Sequence, residues 1–162
     1  MSVRSKVFVA TSLIVFGTQS FAAKDCDADK FLVLNYKGQH LGVSRDTIES
    51  MLQKEIETST HWASKGVYKG PLLADVINLV VGSKDAPKRL SVYTWDNFKS
   101  QIPYSDLKKY GAILSTQFNK QPLKLEDWGP LYIMYPYDRY KDLQRPAGLM
   151  KFAWQVCRID VE

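Results

Sequence analysis

The chain has 162 residues, of which 24% are charged and 45% are hydrophobic, and it carries a formal net charge of +5 at pH 7. This length suits one domain with a real hydrophobic core, and no internal repeat or low-complexity segment interrupts it. The basic residues are spread along the chain rather than grouped, so the composition argues against a nucleic-acid-binding protein.

The first residues are predicted to form a secretory signal peptide, residues 1–22. Arg4 and Lys6 give it a positively charged N-terminal region, residues 7–16 are mostly apolar, and Ala22 ends a cleavage pattern of small residues. An uncleaved membrane anchor is the alternative, but the apolar run is shorter than the roughly 20 residues that a bilayer span needs. The mature protein is therefore expected in a bacterial periplasm, without insertion into the membrane.

Cleavage after residue 22 leaves one domain, residues 23–162, with a formal charge of +3, because the removed segment carries two basic residues and no acid. Export also changes how the two cysteines are interpreted. Cys26 lies near the mature N-terminus and Cys157 near the C-terminus, and an oxidising compartment favours a disulfide between them. Two independent thiols are the alternative.

Short helices are predicted between strands along the rest of the chain. Ser44 is a suitable N-cap for a first helix, Pro71 is predicted at the first position of a second helix that Gly82 ends, and Gly111 ends a third. Strands are predicted over residues 31–36, 55–60, 90–94, 98–102, 112–118, 131–135 and 152–161. Because these elements alternate without regular βαβ units, the predicted class is α+β with mixed sheets.

The last two predicted strands flank a basic, aromatic-edged loop, residues 138–148. Such a loop between buried strands is a plausible place to hold a flat or anionic ligand. In the final strand the alternation of apolar residues changes after Val156, which predicts either a bulge or a strand buried on both faces.

Motifs for catalysis or metal binding are not evident. The chain has two histidines, His40 and His61, and neither belongs to a zinc or nucleophile-elbow pattern. The acids Asp25, Asp27 and Asp29 resemble the start of a calcium loop but lack its later glycine and acid, so they are interpreted as a solvated segment.

Aromatic residues provide the stronger signal. Several of them lie at the ends of predicted elements or in loops: Trp62, Tyr68, Trp95, Phe98, Trp128, Tyr135, Tyr137 and Tyr140. Packing in the core is the simpler interpretation for each one taken singly. Trp62 and Trp128 are better candidates for stacking on a flat ligand, because each lies in a polar turn rather than in an apolar run.

Four segments, residues 61–77, 91–107, 129–138 and 154–161, together resemble the oxidoreductase molybdopterin-binding domain, which has the sulfite oxidase fold. The Gly-Pro-Leu strand with its Tyr-Pro-Tyr-Asp end and the terminal Trp-Gln strand are the most specific parts. The resemblance covers roughly residues 31–161 and implies a single α+β domain of mixed β-sheets with short helices.

The resemblance also implies a cofactor site, from which this chain departs at two points. Enzymes of the family bind molybdenum through a pterin dithiolene and one cysteine, placed shortly before the segment that matches residues 66–73. Residues 55–69 contain no cysteine, and a hydroxyl from Thr58, Ser59 or Thr60 does not replace a soft thiolate. The family also has His-Gly where this chain has Trp128-Gly129. These departures argue against redox catalysis.

The chain is similar to small periplasmic proteins of the PruR type, which have this fold, bind a reduced pterin and regulate a membrane-bound enzyme. The resemblance implies a tetrahydropterin-like ligand and, as partner, the periplasmic domain of an inner-membrane diguanylate cyclase or phosphodiesterase. Residues expected at the pterin site are Thr60, His61, Trp62, Asp96, Asn97, Trp128, Tyr137, Asp138 and Arg139. The tryptophans would stack on the ring, the acids and Asn97 would bind its amino-pyrimidine edge, and Arg139 would meet a carbonyl or phosphate.

Two other functions stay open at this point. One is a molybdenum-cofactor-dependent oxidoreductase, or a subunit of one, which would have to hold its metal without a cysteine thiolate. The other is a structural or chaperone-like periplasmic protein.

Overall fold

The computed structural model describes residues 26–82 and 87–162, so the predicted signal peptide lies outside the described residues. The strands are β1 (Leu32–Tyr36), β2 (Gln39–Val43), β3 (Gln53–Thr58), β4 (Gly66–Pro71), β5 (Arg89–Thr94), β6 (Lys99–Pro103), β7 (Ile113–Ser115), β8 (Gln117–Phe118), β9 (Gln121–Pro122), β10 (Tyr132–Met134) and β11 (Val156–Val161). The helices are α1 (Arg45–Ser50), α2 (Leu73–Val81), α3 (Tyr104–Tyr110) and α4 (Pro146–Leu149).

The strands form three sheets. The largest has the order β2-β1-β11-β5-β6, a second has the order β3-β4-β8-β9, and β10 pairs with β7. All pairs are antiparallel except β1 with β11. This arrangement confirms the predicted α+β class with mixed sheets.

The core lies between the sheets and the apolar face of α2. Val76 and Ile77 on this helix are fully buried, and the helix contacts both β1 and β7. Tyr135 and Phe152 are among the largest buried side chains and extend the core toward the C-terminal loops. No helix in the described ranges is long and apolar enough to cross a membrane.

Local signals in the sequence explain where most helices begin or end. Ser44 caps α1, because its hydroxyl accepts a hydrogen bond from the Thr47 amide at 3.1 Å. Gly111 ends α3 in the left-handed conformation, with φ 64°. Pro71 was wrongly predicted as a helical residue. It is the last residue of β4 and pairs with Gln53, so α2 starts two residues later.

The predicted strand over residues 152–161 is also corrected, because pairing begins only at Val156. Gln155 has a positive φ of 53°, and its amide donates to the Trp128 carbonyl at 3.1 Å, which turns the chain away from the sheet. The register then shifts between Val156 and Arg158, which agrees with a bulge, the first of the two predicted alternatives. Residues 152–154 therefore form a loop that leads into the sheet.

The predicted strand over residues 112–118 is split into β7 and β8 at Thr116. The Thr116 amide donates to the Lys69 carbonyl at 2.9 Å, and its carbonyl accepts from the Leu123 amide at 2.8 Å. The two halves therefore pair with different neighbours, β10 on one side and β4 on the other.

Cys26 and Cys157 form the predicted disulfide, with a sequence separation of 131 residues and Cα atoms 5.5 Å apart. Cys26 precedes β1, and Cys157 lies in β11, which is the neighbour of β1 in the same sheet. The bridge therefore fastens the start of the described chain to its last strand.

Gly70 allows β4 to approach β7 closely. A Cβ atom at this position would lie 2.0 Å from the backbone oxygen of Leu114. We expect Gly70→Ala to lower the free energy of unfolding by about 3 kcal/mol or more, because rigid backbone must move to relieve the overlap. Denaturant unfolding followed by circular dichroism measures this. Gly42→Ala is the control, since the nearest atoms to its Cβ would belong to the Lys30 side chain rather than to backbone, and an equal loss in both variants would contradict the prediction.

Candidate functional site

Three tryptophans and one buried tyrosine form a continuous chain of ring contacts. The ring centroids of Trp62 and Trp154 are 5.2 Å apart, those of Trp154 and Tyr132 are 6.2 Å apart, and those of Tyr132 and Trp128 are 6.2 Å apart. Tyr132 is buried, whereas Trp62 is 45% exposed and the other two tryptophans are half-buried. Trp62, Trp128 and Trp154 are called the aromatic surface below.

A tight turn after β3 presents Trp62 to the solvent. The Thr60 hydroxyl oxygen accepts from the Trp62 amide at 3.2 Å and from the Ala63 amide at 2.9 Å. The Thr60 amide in turn donates to the Ala63 carbonyl at 2.9 Å. Thr60 itself is buried and therefore shapes the turn rather than facing solvent. His61 is exposed in the same turn, with its ring 5.4 Å from that of Trp62.

Asp96 borders the aromatic surface, in the turn between β5 and β6. One carboxylate oxygen accepts from the Trp154 indole N–H at 3.2 Å. The other accepts from the Phe98 amide at 3.2 Å and from the Thr94 hydroxyl. Asn97 is the positive-φ residue of this turn, with φ 64°, so its backbone conformation has a structural reason. The turn thus places an exposed carboxylate beside an indole ring.

Trp128 lies in the loop between β9 and β10. Its ring contacts Phe118, with the centroids 6.1 Å apart. Gln155 secures this loop twice, because its amide donates to the Trp128 carbonyl and its side-chain nitrogen donates to the Leu125 carbonyl at 2.7 Å. The same residue therefore positions both Trp128 and the neighbouring Trp154.

Tyr137 and Asp138 approach the site from a short 3-10 turn, Tyr137–Arg139. The Tyr137 ring lies 5.9 Å from that of buried Phe152, which also contacts the Trp62 ring at 6.3 Å. Asp138 accepts from the Ser59 amide at 2.8 Å and from its hydroxyl at 2.5 Å. These bonds from Ser59 hold the pKa of the Asp138 carboxyl below its usual range. Asp138 thus fastens the base of the Trp62 turn.

Arg139 lies in a neighbouring cleft rather than on the aromatic surface. This cleft of about 480 Å³ is lined by Arg139 and Asp138 together with Thr58, Tyr110 and residues of β3. The guanidinium lies 5.6 Å from the centroid of the Tyr140 ring. The nine residues predicted for the site therefore fall into two groups. Seven lie at or near the aromatic surface, whereas Asp138 and Arg139 line the neighbouring cleft.

Trp154 is the site residue that sequence reasoning missed. It was assigned to the final strand, where an alternating apolar residue is expected to be buried. It lies instead in the loop before β11, next to a bend at Gln155, a non-glycine residue with positive φ, and it is partly exposed. A tryptophan followed by a glutamine carries no local signal for such a bend.

The donor atoms available do not fit a molybdenum centre of the kind that the sequence resemblance implies. Both cysteines of the chain are joined in the disulfide, so neither offers a thiolate. Across residues 26–82 and 87–162, no group of three His, Cys, Asp or Glu side chains could hold a metal ion. Near the Trp62 turn, the Ser59 hydroxyl donates to the Asp138 carboxylate, and the hydroxyls of Thr58 and Thr60 accept from backbone amides, so these oxygen atoms are already engaged in hydrogen bonds.

The bonds between Asp138 and Ser59 predict a measurable local effect. We expect Asp138→Ala to speed hydrogen exchange at the Ser59 amide by at least about tenfold, because a hydrogen bond to a charged acceptor contributes about 1.5 kcal/mol or more. In the native protein this protection should persist at mildly acidic pH and fall away only as pH drops through the depressed pKa of Asp138.

Amide exchange measured by nuclear magnetic resonance checks this prediction residue by residue. Asp46→Ala, on the exposed side of α1, is the control and should leave Ser59 unchanged. Unaltered protection of Ser59 in the Asp138→Ala protein would show that the turn is held by other contacts.

No protein-family model and no curated protein matches the chain. Among solved structures, it is similar to the sulfane dehydrogenase SoxCD from Paracoccus pantotrophus, with a TM-score of 0.60 and 14% sequence identity. The alignment covers 82% of this chain and 38% of that chain, so this chain spans less than half of its neighbour's length. A likeness at this identity concerns the fold alone. The chain has a single-domain α+β fold of the sulfite oxidase type, as its sequence predicted.

Proposed function

We propose that this chain is an exported pterin-binding module that signals to a membrane-bound enzyme of cyclic di-GMP metabolism. The observation that carries the proposal is the exposed indole of Trp62 beside Trp154, with the Asp96 carboxylate at the edge of the same surface. A reduced pterin has a flat bicyclic ring with N–H donors along its amino-pyrimidine side. Such a ligand needs an aromatic face to stack on and a carboxylate to accept its N–H groups.

Binding without redox chemistry is favoured because both cysteines are joined in the disulfide, so neither offers a thiolate to a metal. Trp128 also stands where the resembled enzymes have a histidine, and it adds aromatic area instead of a polar ligand. The missing thiolate and the replacement of the histidine would each remove a polar ligand of the enzymes' cofactor. The aromatic surface would still allow a flat organic ring to stack.

Export to a periplasm is part of the proposal. The disulfide between Cys26 and Cys157 supports it, since such bonds persist in oxidising compartments. The partner, the periplasmic domain of an inner-membrane diguanylate cyclase or phosphodiesterase, follows from the sequence resemblance to pterin-binding proteins of the PruR type.

A molybdenum-dependent oxidoreductase is the second candidate function. The structural likeness to a sulfane dehydrogenase favours it, whereas the missing thiolate ligand weighs against it. Any such activity would require this chain to hold the cofactor through contacts other than a cysteine.

Calorimetric titration of the mature protein with tetrahydrobiopterin under anaerobic conditions tests the proposal. We expect saturable binding at one site, together with ligand-dependent capture of the partner's purified periplasmic domain. At a free concentration of about 100 times the dissociation constant, the pterin should stabilise the fold by about 2.7 kcal/mol. If tetrahydrobiopterin neither binds nor stabilises the protein, while molybdenum cofactor does, the oxidoreductase becomes the better assignment.

A further inference from the structure

We propose that a second cleft in this protein binds a small aromatic anion, a ring that carries a phosphate or carboxylate group. The cleft has a volume of about 630 Å³, within the range of sites for small molecules. Its walls include Phe31, Trp95 and Pro130, and basic side chains stand around them. None of its lining residues belongs to the aromatic surface, so this proposal does not depend on the pterin function.

Positive charge is concentrated at this cleft. Three of its lining residues, Lys30, Arg45 and Lys124, are basic, and Glu49 is the acidic residue among them. Glu49 pairs with Arg45 at 3.2 Å, which cancels one charge and leaves those of the two lysines. Within the described residues, neither lysine forms an ion pair. A cleft with two uncompensated ammonium groups attracts an anion.

Two of the basic side chains, Arg45 and Lys30, pack against neighbouring residues. The Arg45 guanidinium lies 4.5 Å from the centroid of the Phe31 ring and forms a salt bridge with Glu49 at 3.2 Å. The aliphatic part of Lys30 lies against Gly42, where an added Cβ would be 3.2 Å from its Cδ atom. Less side-chain freedom is therefore lost when a ligand binds.

The rings account for the aromatic part of the ligand. Trp95 follows β5, and its amide donates to the Gln155 carbonyl at 3.0 Å, which anchors its backbone to the segment before β11. It is half-buried, as are Phe31 and Pro130, so part of their apolar surface remains exposed in the cleft. A simple inorganic anion would leave this apolar surface exposed to solvent, whereas the ring of an aryl phosphate or aryl carboxylate would cover it.

Titration of the mature protein with 1-naphthyl phosphate tests the proposal, with tryptophan fluorescence and calorimetry as readouts. We expect saturable binding that weakens as salt is raised, and binding of neutral 1-naphthol or inorganic phosphate at least about tenfold weaker than that of 1-naphthyl phosphate. Lys30→Gln and Lys124→Gln should each weaken binding by about threefold to fivefold, since each removes one partly exposed charge interaction.

Two control variants make the result specific. Lys54→Gln removes an exposed lysine of β3 outside the cleft and should leave the affinity unchanged. Leu79→Ala should also leave it unchanged, because Leu79 is an exposed residue of α2 that does not line the cleft. Equal losses in Lys54→Gln and Lys30→Gln, equal affinity for 1-naphthol, or no binding at millimolar ligand would each overturn the proposal, whatever the outcome for pterin.

Discussion

Replacing Trp62 with alanine is expected to weaken tetrahydrobiopterin binding by about tenfold to a hundredfold, because stacking of a heterocycle on an aromatic side chain contributes about 1–3 kcal/mol. The side chain is 45% exposed and contacts Trp154 and Phe152 by its buried part. Its loss should lower the free energy of unfolding by no more than about 2 kcal/mol, so the variant should still fold.

Calorimetry of the wild-type and Trp62→Ala proteins measures this loss, and circular dichroism confirms that both are folded. Leu79→Ala is the matched control, since Leu79 has a similar exposure of 42% and lies on α2 rather than at the aromatic surface. Trp154→Phe gives a second comparison, because it keeps a ring but removes the N–H group that donates to Asp96. Normal pterin binding by both tryptophan variants would mean that the ligand does not use this surface.

Loss of the disulfide is expected to have the largest effect on stability. The bridge closes a loop with a sequence separation of 131 residues. A chain-entropy treatment gives about 4–5 kcal/mol for a loop of this length, because the cross-link restricts the unfolded chain. We therefore expect the free energy of unfolding to fall by about that amount when the bond is reduced.

Denaturant unfolding with and without dithiothreitol measures the difference. The double variant Cys26→Ser, Cys157→Ser should match the reduced protein and should not respond to dithiothreitol, since the chain has no other cysteine. A change below about 1 kcal/mol would indicate that the unfolded chain is already compact or that the bond is strained.

The fold could be predicted from the sequence wherever local chemistry decides the backbone. Ser44 and Gly111 mark helix ends because a capping hydroxyl and a left-handed glycine act within a few residues of their own position. Pro71 was misassigned because a proline is also allowed at the end of a strand. There the pairing of β4 with β3, a contact distant in sequence, outweighed the local preference.

The candidate site was predicted less completely because its parts meet only in three dimensions. Trp62 and Trp128 stood out because each is an aromatic residue in a polar turn. Their connection through Trp154 and Tyr132 depends on the loop before β11, whose course is set by hydrogen bonds from Gln155 to residues some 30 positions earlier. No spacing in the sequence encodes such a contact.

The role of Asp138 shows the same limit. Its position after an apolar strand suggested a group that binds a ligand, and that remains a prediction. Its bonds to Ser59, 79 positions earlier in the chain, add a second role in holding the turn that carries Trp62. Residue type alone does not reveal which partner a carboxylate meets.

The most direct test of the central claim is to purify the protein from a native periplasm and analyse what it carries. Mass spectrometry should detect a reduced pterin or its oxidation product in a ratio close to one per chain, and elemental analysis should detect no stoichiometric molybdenum. Recovery of the protein with one molybdenum per chain, together with turnover of a sulfur substrate, would contradict the account.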